Sequence, residues 1–110
     1  MSQYTPAEWL PEVVTEYRQL AARDRDFGAD VGNQFCAFER IVDRGLDADW
    51  RRIERRGSAD VYVMYAHRTL MFFAVAGDRI AAVKWAELGT PHELSVARDE
   101  ALERAGRQFP

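Results

Sequence analysis

The run Thr69-Leu-Met-Phe-Phe-Ala-Val-Ala76 limits what this chain can fold into more than any other segment. It is rich in β-branched and aromatic residues, which favours strand, and it is apolar on both faces. A strand that offers water neither face has to be central in its sheet and covered on both sides. Its neighbours read as partners. Ala76-Gly77-Asp78-Arg79 is a hairpin turn in which Gly77 is free to take positive φ, and Ile80–Trp85 is the returning strand. Upstream, Asp60–Ala66 alternates as a strand behind the turn Gly57-Ser58-Ala59. Trp50–Arg56, with Trp50, Arg52 and Glu54 set against Arg51, Ile53 and Arg55, brings the antiparallel meander from three strands to four.

Before Asp49 the period is helical. Thr5-Pro6-Ala7-Glu8 is a capping box with Pro at the first helical position, and Pro11 separates a short first turn from the main helix. Trp9, Leu10, Val13, Val14, Tyr17, Leu20 and Ala21 recur on one face. Arg23-Asp24-Arg25-Asp26 reads as a polar connector, with Gly28 and Gly32 weakening helix just after it. A second helix is expected from Asp30 to Arg44, with Val31, Phe35, Phe38, Ile41 and Val42 buried and Gly45 as its C-cap. So short a connection implies an antiparallel helical hairpin. After the strands, Thr90-Pro91-His92-Glu93 repeats the capping box and opens a helix carrying Leu94, Ala97, Ala101, Leu102 and Ala105 on one face, ended by Gly106. The fold class is therefore α+β: an N-terminal helical hairpin on a three- to four-stranded antiparallel meander, closed by a C-terminal helix, in a single domain spanning 1–110.

Charge is unevenly spread. Residues 1–50 hold ten acids and five bases, 51–84 seven bases and three acids, and 85–110 five acids and three bases, for a total of −3. The middle third is a basic segment in an acidic protein, suited to phosphate if its cations share a face; the alternative is that these arginines pair with the acidic helices. No apolar run is long enough for a membrane span, the start has neither a basic segment nor an apolar signal core, and a lone cysteine forms no internal disulfide. These features lead to an expected cytoplasmic location with no membrane partner.

Familiar catalytic signatures are missing: there is no Gly-rich phosphate loop and no Gly-x-Ser-x-Gly elbow. Cys36, His67 and His92 do not have zinc-site spacing, and no metal or cofactor is expected. Cys36, beside the buried face of the second helix, reads as a small core residue. Any chemistry has to run on Arg, His, Tyr and Lys, a set suited to phosphate and RNA.

The order helix, helix, meander, and above all Asp60–Trp85, resembles the RelE/HigB/ParE superfamily of type II toxins. Arg68 followed by Leu70, Met71 and Phe72 is similar to that family's Arg-led strand of the form Arg-Val-Leu-Tyr. Trp9–Ala21 resembles the opening helix of HigB-like proteins. Thr90-Pro91-His92-Glu93 looks like a shortened version of the Thr-Pro-x-x-Glu helix start of the phage-derived branch. The resemblance covers most of residues 9–105. The chain also departs from the pattern. The family begins with a β-strand, for which Met1–Thr5 is too short, and its members are usually basic. Met64 and Tyr65 stand where arginines are common, the paired lysines before Thr-Pro are reduced to Lys84, and no catalytic His, Tyr or Arg has a counterpart beyond Trp85.

The resemblance implies a toxin of a type II toxin–antitoxin system, acting as a ribosome-associated, metal-independent mRNA endoribonuclease with an antitoxin protein and mRNA or the ribosome as partners. Attack by a ribose 2′-OH needs a base, cations around the phosphorane-like charge and an acid for the leaving oxygen. Arg68 is the expected phosphate stabiliser, His67 the acid/base group and Tyr65 a further catalytic candidate. Arg51, Arg52, Arg55, Arg56 and Lys84 would form the nucleic-acid-binding surface. Each has a plainer reading: Arg68 and His67 flanking a turn, Tyr65, Trp50 and Trp85 in the core. The alternative function is a non-enzymatic binding protein on the same scaffold, phage-encoded or ParE-like, that inhibits a host protein. A third reading is an α+β protein of unrelated lineage.

Overall fold

A computed structural model describes residues 4, 7–45, 51–66 and 68–110. Eight elements follow in the order β1 (Glu8–Trp9), α1 (Pro11–Ala21), α2 (Arg25–Arg44), β2 (Arg51–Arg56), β3 (Ala59–Tyr65), β4 (Thr69–Ala76), β5 (Arg79–Glu87) and α3 (Pro91–Gln108). The doubly apolar run is β4, and it lies where its pattern requires, in the middle of a five-stranded sheet of order β1-β5-β4-β3-β2. Thr69 to Ala74 are all buried. Strands β2 to β5 form the expected antiparallel meander.

One face of the sheet carries α2. Phe38 meets Phe73 edge-on at 5.9 Å, and Tyr62 stacks on Phe73 at 5.4 Å. The other face carries α3, whose early turns approach Val63, Leu70 and Phe72. Helix α1 lies along the β5 edge against α2. The class is α+β, as expected, with one strand more than the meander.

That extra strand replaces the predicted start of the first helix. Glu8 and Trp9 run parallel to β5, opposite Ala81 and Ala82, so the Thr5-to-Glu8 box does not open a helix; Thr5 and Pro6 themselves lie outside the described residues. Glu8 is held instead by Arg79 and by Gln108. The helix starts at Pro11, where a missing N–H costs nothing, with Leu10 as its extended N-cap. Past Trp9 the β5 edge is closed by α1, whose Glu16 Oε1 accepts the Trp85 backbone N–H at 3.1 Å.

Helix α2 also begins earlier than its composition suggests. Asp24 lies in the presumed connector, yet its Oδ1 accepts the Phe27 N–H at 2.7 Å and makes it the N-cap. Gly28 suits the close approach of α2 to the end of α1: a Cβ would stand 3.0 Å from the Ala21 carbonyl oxygen. Phe27, Val31, Phe38, Ile41 and Val42 are buried, with Gln34 among them. Cys36 is exposed, not a core residue. At about 100° per residue it stands about 200° from both Gln34 and Phe38, on the far side of the helix. Gly45 ends α2 as expected. The Thr90 box forms in full and opens α3, which passes Gly106 and runs to Gln108.

Candidate functional site

Two of the three expected catalytic residues, Arg68 and Tyr65, turn to different sides of the sheet. Arg68, just before β4, turns to α2: its Nε donates to Asp30 Oδ2 at 2.7 Å, and its guanidinium lies 4.8 Å from the centre of the Phe27 ring. Arg23, itself paired with Glu87, reaches the same ring. The hydrogen bond that Arg68 donates to Asp30 raises the Arg68 pKa, with Asp24 and Asp26 adding to the effect. Tyr65 goes the other way. It is 59% exposed, not a core residue, and lies beside Pro91 and Leu94 of α3. His67 and Trp50 lie outside the described residues; Trp85 is core, as its plainer reading has it.

The basic segment is dispersed by strand alternation. On β2, Arg52 and Arg55 stand opposite Tyr62 and Asp60, whereas Arg51 and Arg56 stand opposite Val63 and Ala59, on the other face. Asp60 holds Arg52 at 2.9 Å and Arg55 at 3.5 Å, and Glu54 holds Arg56 at 2.8 Å. Strand β2 is the open edge of the sheet, and charge on such an edge discourages pairing with a second chain. Lys84 is nearly enclosed, its side chain 14% exposed, between Glu16 at 2.8 Å and Glu100 at 2.6 Å. Its hydrogen bond lowers the Glu100 pKa. Arg104 joins the cluster through Glu16 and the Val83 carbonyl. These charges tie α1 and α3 to β5.

Two of the expected residues do meet. Tyr65 and Arg51 share a groove of about 260 Å³ between the start of α3 and the face of β2, β3 and β4. Its floor is Val63, Leu70 and Phe72; Ile53, Pro91, Leu94 and Ser95 form the walls; Arg98 joins Arg51 in lining it. Arg98 Nη2 donates to Glu54 at 3.1 Å, and Arg51 has no ion pair among the described residues. Sequence reasoning did not find Leu94, Ser95 and Arg98 as site residues. The signal was the Thr90 box, which fixes α3's register and sets Leu94 and Arg98 one turn apart on one side.

A second feature escaped the sequence entirely. Gln34 is 1% exposed at the α2–sheet boundary. Its Nε2 donates to Met64 O at 3.0 Å and Thr69 O at 3.4 Å, and its Oε1 accepts from the Trp85 indole at 2.6 Å and from the Thr69 hydroxyl.

Among the described residues no group of His, Cys, Asp and Glu could hold a metal ion, and no helix is long and apolar enough to cross a membrane. Comparison with family models, curated proteins and solved structures finds no match to this chain.

Proposed function

We propose that this chain is a binding protein on a RelE/HigB/ParE-like scaffold, one that engages another protein (an antitoxin or a host target) in the cytoplasm and does not cut RNA. The observation that carries this reading is the placement of Arg68. The guanidinium expected to meet phosphate is bonded to Asp30 and stacked on Phe27, while Tyr65 is on the α3 side. Charge stabilisation in phosphoryl chemistry needs preorganised cations aimed at the reacting group, and an arginine already held by a carboxylate is not free for that. The scaffold half of the reading is supported by element order. An opening strand, which the family pattern includes, stands before the two helices at Glu8–Trp9, and four strands follow them.

The test is purified protein in a reconstituted translation reaction, with mRNA integrity followed by primer extension, beside affinity purification from a host. Intact mRNA with one stoichiometric protein partner is the expected result. A second reading, mRNA endoribonuclease, rests on Tyr65 and Arg51 sharing the groove, a phenol and a guanidinium within one site. Cleavage at defined positions that Tyr65→Phe abolishes would replace the first reading by the second.

A further inference from the structure

We infer that the groove between α3 and the β2–β4 face is the site through which this protein binds its partner, and that it accepts an acidic segment anchored by one bulky apolar side chain. The inference rests on the binding-protein reading and adds its location and chemistry.

The floor argues for an apolar anchor. Leu70 and Phe72 are 1% and 4% exposed yet reach the groove, with Leu94 of α3 above them. A space of about 260 Å³ is below the usual range of small-molecule pockets, about 300–1,000 Å³, and suits one large side chain. Tyr65, which also lines the groove, is, with Val96, one of two large hydrophobic residues left exposed among those described. An exposed aromatic ring beside an apolar pocket has the composition of an interface centre.

The rim argues for negative charge on the partner. The chain has eighteen acids to fifteen Lys and Arg, yet among the described residues no carboxylate lines this groove, and two guanidiniums do: Arg51, which has no ion pair among those residues, and Arg98, which is held by Glu54. Exposed cations elsewhere on β2 already have carboxylates: Arg52 and Arg55 share Asp60, and Arg56 has Glu54. Complementary charge at such a rim sets orientation and on-rate.

The same facts favour a protein segment over RNA. Single-stranded nucleic acid needs a cationic track along its backbone and aromatic platforms for successive bases. This site offers one guanidinium unpaired among the described residues, a second held by Glu54, and one exposed ring, on a protein whose net charge of −3 repels a polyanion more than a short segment with about four acids.

The test uses fluorescence anisotropy with the full-length protein. The probes are a labelled peptide Gly-Asp-Glu-Phe-Glu-Asp-Gly, the same peptide with Ala for Phe, and octauridylate. Arg51→Glu, Ser95→Glu and Tyr65→Ala are exposed changes, and thermal melts check that each variant is folded. The Phe peptide should bind, and affinity should fall at least about tenfold with the Ala peptide, with either glutamate variant and with Tyr65→Ala. Tighter binding of octauridylate, lost in Tyr65→Ala, would overturn both this inference and the binding-protein reading. Failure of every probe, or a partner protein that binds the three variants as well as it binds the parent, would overturn the groove alone and leave that reading standing.

Discussion

Replacing Gln34 by Leu tests whether one buried amide holds α2 to the sheet. Gln34, Thr69 and Trp85 are 1%, 0% and 1% exposed, so water cannot take over any bond that is lost. The amide uses both of its N–H groups and has two donors on its oxygen, its full capacity. Leucine fits a similar volume but leaves the Trp85 indole N–H and the Thr69 hydroxyl without their acceptor. A buried donor left unpaired costs about 1–3 kcal/mol. The two together cost about 2–6 kcal/mol, and the desolvation that the amide no longer undergoes offsets part of it, leaving a net loss of about 3 kcal/mol. In a domain of this size that lowers Tm by about 12 °C.

Urea unfolding followed by tryptophan fluorescence measures it, with an unchanged m-value as the control for two-state behaviour. The decisive partner is the triple variant Gln34→Leu, Thr69→Val, Trp85→Phe. Removing all the polar groups leaves nothing unpaired, so the triple variant should regain at least half of the stability lost by the single one. A single-variant loss under about 1 kcal/mol, or a triple variant that sums the losses, would refute the reasoning, because the amide would then be a passenger.

Three further outcomes follow from the packing. At Gly57 (φ +57) a Cβ would stand 1.8 Å from the Phe109 carbonyl oxygen, whereas at Gly77 (φ +63) it meets nothing within 4 Å. Either change to Ala carries the left-handed backbone cost of about 1–2 kcal/mol, and Gly57→Ala should be the more destabilising in paired thermal melts because it also displaces the C-terminus. Phe109 is 2% exposed beneath Arg79, and its carbonyl accepts the Ser58 N–H at 2.8 Å. Phe109→Ala should therefore cost about 3–5 kcal/mol by urea titration, and an unchanged midpoint would show that the tail is not docked. Glu8 has its pKa lowered, first by its hydrogen bond to Arg79. A depressed carboxylate stabilises the fold above its unfolded value of about 4.3 and loses that contribution as pH falls through the folded value. The urea midpoint should thus drop below about pH 5, and Glu8→Gln should make that drop shallower; an identical pH slope in the variant would contradict it.

What could be read from the sequence depended on how local its cause was. The central position of β4, the turn at Gly77 and the start of α3 rest on neighbouring residues alone, and all three appear as expected. Strand β1 is two residues long and exists only because Ala81 and Ala82, some seventy positions later, offer it an edge. The start of α2 was hidden because Asp24 looks the same as a linker acid and as an N-cap until Phe27 takes its oxygen. Gln34 was passed over because a polar residue inside an apolar stripe counts against burial unless its partners are known, and those partners lie on β3, β4 and β5.

Charge was the least local property, and it explains why the candidate site moved. A window sum of +4 over residues 51–84 treats seven cations as one surface. Folding divides them by strand alternation and then by carboxylates brought from elsewhere: Asp30 of α2 for Arg68, Glu8 of β1 for Arg79, Glu16 of α1 and Glu100 of α3 for Lys84. Those pairs anchor helices and an edge strand to the meander, so three of the seven cations are spent on closing the fold. A surface for a partner is set by the cations that remain. Among the described residues Arg51 is without an ion pair, and it lies in the groove with Tyr65 and with no carboxylate in the lining. The functional question therefore passes from the Arg68 turn, where the family likeness placed it, to the α3 groove. There, an apolar floor, an exposed ring and a guanidinium unpaired among the described residues occur together.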